Sequence, residues 1–228
     1  MTVSRNSRRN TLKQLAALGL LGPAGLSGLI QNALAAGDMP TVPGINRLEG
    51  TATVNGAAAK VGTPVKAGDR VATGKGSMAV VVVGGDAFLL RESTEIVVKG
   101  ASELLDAISV VSGKMLAVFS KRKSTKMRIE TRTASIGIRG TGLYLEDHGP
   151  RTYFCLCYGE AVIEGKGMED RVIKTEHHES PVWLDGSGPA MKVEPGPFLN
   201  HTDDELTMLE AVTGRKPPFA GRTYPNRY

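Results

Sequence analysis

Two cysteines that share one face of a predicted strand are the residues of this chain best suited to chemistry. Cys155 and Cys157 are two positions apart, so their thiols point to the same side of an extended segment. His177 and His178 follow two strands' worth of sequence later, and His201 precedes a predicted helix. Two thiolates and two imidazoles can complete a tetrahedral zinc site, and sulfur ligands also suit copper(I).

The same spacing raises geometric objections to a metal site. Residues two apart on a strand have Cα atoms roughly 6.5–7 Å apart, so the strand must bend before both sulfurs reach one ion at about 2.3 Å. His177 and His178 are adjacent, so on a strand they face opposite sides and only one joins easily. Two alternatives stay open: a strained, easily reduced Cys155–Cys157 disulfide, and two buried thiols that pack as small hydrophobic groups.

The metal hypothesis therefore names Cys155, Cys157, His177 and His178 as ligands of a transition metal, either zinc, copper or iron. No catalytic residues are predicted. Asp147 and His148 could be combined with any of the serines as a triad, but the sequence gives no reason to choose one.

The elements that must position these residues are short strands. Asn55-Gly56 predicts a hairpin turn after the strand that ends at Val54, and the apolar run Met78–Val83 predicts a strand buried on both faces. Residues 102–111 are assigned to a strand rather than a helix, with a hairpin turn at 112–114. Further strands are expected at Ala87–Leu90, Glu95–Lys99, Met115–Phe119, Met127–Glu130, Ala134–Ile138, Gly142–Glu146, Arg151–Tyr158, Glu160–Ile163, Arg171–Lys174 and Val182–Leu184.

This regular series of strands predicts a mainly β fold of short-stranded solenoid or sandwich form. The one predicted helix of the mature chain lies near the C-terminus. Thr202 is its expected cap, acidic residues at 203–205 suit its positive N-terminus, and Gly214 is expected to end it. An irregular tail follows.

The N-terminal segment has the pattern of a twin-arginine signal peptide. Arg8 and Arg9 precede Leu12 and Lys13, a mildly apolar run follows, and a small-x-small cleavage site ends it. That site consists of Ala33, Ala35 and Ala36. The pattern predicts export of a folded protein to the periplasm or another space outside the cytoplasmic membrane.

The export segment changes how the charge of the chain is interpreted. The chain has 28 basic and 23 acidic residues, and four of the basic residues lie in the predicted signal. Without them 24 basic residues stand against 23 acidic ones, so a nucleic-acid partner is not expected. The mature chain contains no second apolar stretch of membrane length, so no membrane span is expected there either.

Two blocks of the mature sequence resemble the FecR-domain family. The first runs from Gly68 to Leu90, and the second from Ile129 to Thr141, with a closing segment at Tyr153–Val162. The residues that match the family motif are Gly68, Asp69, Val71, Thr73, Gly74, Arg139, Gly140 and Thr141. The resemblance implies an extracytoplasmic all-β domain with a sensing or protein-binding role. Regulatory members also carry an anti-sigma segment and a membrane span before this domain, which the chain replaces with its export signal.

These observations divide the chain into four parts. Residues 1–35 are the predicted signal peptide, 36–47 a flexible leader, 48–193 a FecR-like β domain with the resemblance strongest at 48–165, and 194–228 the terminal helix and tail. The predicted function is a non-catalytic binding, scaffold or sensing protein of the cell envelope, whose partner is another envelope protein or an envelope polymer. The alternative is a metal-binding or thiol-redox protein centred on Cys155 and Cys157.

Overall fold

The computed structural model describes residues 43–101, 104–122, 127–178 and 181–224. The strands in these ranges are β1 (Gly44–Glu49), β2 (Ala52–Val54), β3 (Ala57–Ala58), β4 (Arg70–Thr73), β5 (Met78–Val83), β6 (Asp86–Leu90), β7 (Glu95–Ala101), β8 (Leu104–Val118), β9 (Met127–Glu130), β10 (Ala134–His148), β11 (Arg151–Gly165), β12 (Arg171–Thr175), β13 (Val182–Asp185) and β14 (Lys192–Pro195). They are followed by a helix, α1 (Asp203–Val212). The mainly β prediction is confirmed. Within the described ranges, no helix has the length and apolar character that a membrane crossing needs.

Three strands of 15 residues, β8, β10 and β11, organise the sheet. The first part of β8 pairs with β7 and, in parallel, with β9, whereas its second part pairs with β6 and β10. Strand β11 pairs with β10 along its length, with β13 near its start and with β12 near its end. All other pairings are antiparallel, as hairpin-connected strands require.

The sheet curls around one apolar core. Val71 of β4 and Leu184 of β13 lie far apart in the order of strands, yet both belong to the same cluster of buried side chains. None of the residues in this cluster comes from α1, so the strands and loops themselves must cover it, which requires the sheet to fold over on itself. We call this cluster the inner core.

The outer face of the central strands carries a second buried cluster, which is covered by the C-terminal residues. Residues 197–224, named here the cap segment, lay α1 across this face. Leu206, Leu209 and Val212 form the apolar stripe of the helix and are fully buried there. The predicted cap is confirmed: Thr202 accepts a hydrogen bond from the backbone N–H of Glu205, whose carboxylate accepts one from the backbone N–H of Thr202.

The predicted hairpin at Ser112-Gly113-Lys114 is wrong, because β8 runs through these residues without turning back. Gly113 has a φ of +89°, and a Cβ atom there would lie 2.4 Å from the Cα atom of Thr94. The glycine therefore marks a bend at which β8 changes partners, from β7 before it to β6 and β10 after it. A turn signal and a bend signal look alike in the sequence because both use glycine's freedom at positive φ.

Other predicted boundaries also shift. Strand β1 begins at Gly44, so the last residues of the predicted leader are part of the sheet and pair with β5. Strands predicted separately at 134–138 and 142–146 are one strand, β10, and those at 151–158 and 160–163 are one strand, β11. The Asn55-Gly56 hairpin between β2 and β3 and the buried strand β5 are found as predicted.

Candidate metal centre

Cys155 and Cys157 lie side by side on the outer face of β11. Their neighbours Phe154 and Leu156 point into the inner core, so the strand alternates as its sequence predicts. Both thiols are buried and neither is in a disulfide.

A β-bulge at Cys157 supplies the bend that a shared ion requires. Gly142 of β10 is opposite Tyr158, but the next residue, Leu143, is already opposite Leu156, so Cys157 has no partner in the register. An extra residue of this kind bends the strand and redirects the side chain it carries. The bulge brings the sulfurs of Cys155 and Cys157 within 4.8 Å of each other.

His178 reaches the two cysteines from the turn that follows β12. Its backbone N–H donates to the carbonyl oxygen of Cys157 at 2.9 Å, which fixes the turn against the bulge. Its φ is +46°, a left-handed conformation that is unfavourable for a residue with a Cβ atom. This conformation places Nδ1 of the His178 ring 3.6 Å from the sulfur of Cys155.

His201 completes the group from the cap segment, just before α1. Its Nε2 atom lies 3.2 Å from Nδ1 of His178. The imidazole stacks on the ring of Tyr144, with a centroid separation of 4.6 Å. The Tyr144 hydroxyl donates to Glu146, and the side-chain amide of Asn200 donates to the same carboxylate, so the residue before His201 is also held.

Four buried ligand atoms thus converge, those of Cys155, Cys157, His178 and His201, each within 4.8 Å of the other three. A tetrahedral zinc ion bound at about 2.3 Å from sulfur and about 2.0 Å from nitrogen would place neighbouring S and N atoms about 3.5 Å apart and two N atoms about 3.3 Å apart. The observed separations of 3.6 Å and 3.2 Å agree with both values.

The outer nitrogens of both imidazoles are already bound to acceptors. Nε2 of His178 lies 3.1 Å from a carboxylate oxygen of Asp203, and Nδ1 of His201 lies 2.6 Å from the carbonyl oxygen of Leu199. These oxygens can only accept, so both outer nitrogens carry the proton. The inner nitrogens then present lone pairs to each other, and such a pair needs a cation between them, either a proton or a metal ion. Outer-nitrogen hydrogen bonds of this kind are typical of metal-binding histidines.

The two thiols differ in acidity. A hydrogen bond from Cys157 lowers the pKa of the Cys155 thiol well below its ordinary value, against the effect of burial, and His178 and His201 act in the same direction. Burial raises the pKa of Cys157 well above its ordinary value. Burial alone would lower the pKa of His178, but its hydrogen bonds to Asp203 and Cys155 outweigh that effect and raise it. Cys155 therefore favours the thiolate, the form that binds metals.

His177, one of the four predicted ligands, does not belong to the group that contains the sulfurs. Its Nε2 atom lies 2.9 Å from both carboxylate oxygens of Asp203, and its ring stacks on Tyr224 at a centroid separation of 4.0 Å. Two adjacent histidines thus hold one carboxylate, and only His178 also reaches the cysteines. The structure replaces His177 with His201 in the four-residue group.

Sequence reasoning noted His201 but did not include it among the ligands, and it missed Asp203 and Tyr144. A signal for His201 was available, because it stands directly before Thr202, the predicted cap of α1. A residue at that position is held by the capping geometry. The stacking of Tyr144 and the link through Asp203 depend on how the cap segment packs on the sheet, and no local pattern predicts them.

The family-motif residues support the scaffold, and none of them belongs to the four-residue group. The carboxylate of Asp69 accepts hydrogen bonds from the side-chain amide of Asn55 and the backbone N–H of Lys66, which closes the turn at Gly68. Thr73 donates to the carbonyl oxygen of Arg91, and Thr141 to that of Glu160. The remaining motif residues have similar places: Val71 is buried in the inner core, Gly74 packs against Thr51, and Arg139 and Gly140 lie in the irregular part of β10.

The residues of the predicted signal peptide lie outside the described ranges. They are Arg8, Arg9, Leu12, Lys13, Ala33, Ala35 and Ala36. Export therefore stays a prediction from the sequence.

Comparison with known proteins finds a family-model match in the central part of the chain. Residues 69–165 match the family model described as FecR protein, which confirms the resemblance found in the sequence. The comparison with curated proteins finds no match.

Two crystal structures of a candidate anti-sigma factor from Parabacteroides distasonis, at 1.65 Å and 2.50 Å resolution, are similar to part of this chain. Each is 9% identical in sequence, with TM-scores of 0.47 and 0.46. The match covers 55% of this chain and 59% of theirs, so the chain spans less than two thirds of the length of these structures.

Proposed function

Because residues 69–165 form a FecR domain, we propose that this protein is a non-catalytic sensing or binding protein of the cell envelope whose ligand is a transition metal ion. The ion is bound by Cys155 and Cys157 of the FecR domain together with His178 and His201 from the residues that follow it. The observation that carries the proposal is the convergence of these four buried ligand atoms at tetrahedral spacing.

The donor set favours zinc. Two thiolates and two imidazoles form a common set for structural Zn²⁺ sites, whereas sites for magnesium or calcium use oxygen ligands. Copper(I) also accepts such soft ligands and is the strongest competitor in the same site. All four side chains are buried, so a bound ion has no open position for a substrate. This argues for a structural or sensing ion rather than a catalytic one.

A thiol-redox function has weaker support. Reactive cysteines are partly exposed, because an oxidant or a partner thiol must reach the sulfur. Cys155 and Cys157 are both fully buried beneath the cap segment.

The envelope part of the proposal rests on the FecR domain and on the twin-arginine pattern at Arg8 and Arg9. A protein that folds before export can acquire its metal in the cytoplasm. The partner to which it reports is proposed to be another envelope protein or an envelope polymer, bound through sheet edges or loops.

The test is metal content and affinity in matched variants. The full chain, purified without an affinity tag, is expected to contain close to one zinc or copper ion per chain by elemental analysis. Cys157→Ser and His201→Ala are expected to lose that ion. His148→Ala is the matched control: it removes one of several contacts of Glu146 but no member of the four-ligand group, so it should retain the metal.

Replacement of the ion by Co²⁺ gives an independent measure of the ligand set. Sulfur-to-cobalt charge-transfer bands and the intense visible bands of tetrahedral cobalt should appear in the wild-type protein and weaken in Cys157→Ser. A folded protein that takes up neither Zn²⁺, Cu⁺ nor Co²⁺, or one whose metal content is the same in the cysteine variant, would contradict the proposal.

A further inference from the structure

The four ligands of the proposed centre come from two parts of the chain. Cys155 and Cys157 lie inside the matched FecR region, whereas His178 and His201 follow it. His201 alone belongs to the cap segment. An ion bound by all four would therefore link the outer face of the FecR domain to the segment that covers it.

The cap segment covers an outer face rich in apolar side chains. Buried on the sheet side are Val80, Val82, Leu89, Leu116 and Val118, and the buried helix residues Leu206, Leu209 and Val212 pack into the same cluster. A face of this kind needs a cover in water, and the amphipathic helix α1 supplies one from the same chain.

Polar contacts hold the cap segment at several points along its length. Arg91 donates to the carbonyl oxygen of Asn200 at 2.6 Å and to the carboxylate of Glu205. At the far end of the helix, the hydroxyl of Tyr158 donates to Glu210, and Arg215 binds the same carboxylate. The proposed ligand His201 adjoins the first of these anchors, because it follows Asn200, whose φ of +53° is also left-handed.

We propose that the outer face of the FecR domain is a helix-binding surface whose occupant is this cap segment, and that metal binding controls its occupancy. This inference rests on the proposed function, because it uses the same four ligands. In the closed form the cap segment lies on the outer face, and in the open form it has left that face. His201 leaves with the cap segment, so at most three ligands remain in the open form. The open form therefore binds the ion more weakly than the closed form. By linkage, the ion must then favour the closed form by the ratio of the two affinities.

Hydrogen exchange of the full chain, measured with Zn²⁺ alone and with a chelator, tests the inference. With free Zn²⁺ at about 100 times its Kd, exchange of the helix amides at 203–212 should slow by about 10- to 100-fold. The upper limit applies if the open form binds no zinc. Amides of the β2–β3 hairpin, which can open without disturbing the centre, should exchange at the same rate in both conditions.

Two variants separate the ion's effect from ordinary packing. His201→Gln removes the ligand on the cap segment, so protection of the helix should no longer respond to zinc. Leu209→Ala weakens only the apolar contact of the helix, so exchange should be faster in both conditions while the ratio between them is retained.

The outcomes distinguish this inference from the proposed function. If zinc binds with the expected stoichiometry but helix exchange does not change, the metal-controlled cap is wrong and the metal centre stands. If no zinc binds to the wild-type protein, the proposed function is wrong and the inference falls with it.

Discussion

The two faces of strand β11 show how one sheet can serve stability and binding at once. Phe154 and Leu156 point into the inner core, while Tyr153, Cys155 and Cys157 point to the outer face beneath the cap segment. The inner side chains are stabilised by burial alone, which has no preferred direction. The outer ones carry thiols and a hydroxyl, whose interactions depend on distance, angle and protonation.

Buried histidines and glutamates follow the same division. Within the described part of the chain, every buried histidine and glutamate either belongs to the cap segment or contacts it. These residues are His177, His178, His201, Glu146, Glu205 and Glu210. Burial of such groups is costly unless each is paired, so the outer face gains specificity rather than simple stability. We therefore expect the inner core to respond mainly to changes of volume, and the outer face to metal and pH.

The largest expected effect is on the inner side of this comparison. Phe154→Ala should lower the free energy of unfolding by about 3–5 kcal/mol, because it removes a fully buried ring and leaves a cavity. The loss should be the same with zinc and with a chelator, measured by urea unfolding in both conditions. A loss that depends on zinc would show that the two faces are not independent.

Zinc removal should have the next largest effect, on the outer side. With free Zn²⁺ at about 100 to 1,000 times its Kd, the wild-type protein should be about 3–4 kcal/mol more stable than in chelator. His201→Ala should be insensitive to zinc over the same range, and His148→Ala should respond as the wild type does. Equal stability of the wild-type protein with and without zinc would show that the outer face does not depend on metal.

The alternation that separates the inner core from the outer face could be predicted from the sequence, but only part of the metal centre on the outer face could be. Alternation along β11 follows from the strand period, so the shared face of Cys155 and Cys157 was predictable, and Thr202 identified the start of α1. The bulge at Cys157 was not predictable, because it is a relation between β10 and β11. His201 could replace His177 in the ligand group only once the cap segment was packed on the sheet.

Two glycines show the same difference between local features, which the sequence predicts, and contacts between distant residues, which it does not. Gly56 lies in a local turn, and the Asn-Gly pair predicted it correctly. Gly113 is needed because Thr94, on the chain segment before β7, approaches its backbone closely. A close approach between distant residues leaves no pattern in the sequence around the glycine, so the bend was interpreted as a hairpin.

A smaller effect is expected from the pH response of the outer face. Burial would raise the pKa of Glu146, but hydrogen bonds from Asn200, Tyr144 and His148, with the charge of Lys114, outweigh it and lower the pKa. The carboxylate thus stabilises the fold above the ordinary pKa near 4.5, and this stability is lost as the pH falls through the lower folded-state value.

Glu146→Gln should therefore cost about 1–2 kcal/mol at neutral pH, and its difference from the wild type should shrink as the pH falls below 4.5. Unfolding curves of both proteins at several pH values between neutral and acidic conditions measure this. A difference that stays constant across the range would mean that shape, rather than charge, is what the site requires of Glu146.

The smallest expected effect comes from loss of the N-terminal cap of α1. It tests whether zinc affinity depends on the first turn of this helix or on docking of the whole helix. Thr202→Ala removes the side-chain oxygen that accepts the N–H of Glu205 and should cost about 1 kcal/mol. Because His201 is the preceding residue, fraying of the first turn would also loosen a metal ligand, so zinc affinity should fall with stability. Thr213→Ala at the other end of α1 is the matched control: it loses a hydroxyl bonded to Glu210 but lies far along the helix from His201. If both variants weaken zinc binding equally, zinc affinity depends on docking of the whole helix. If only Thr202→Ala weakens it, zinc affinity depends on the first turn.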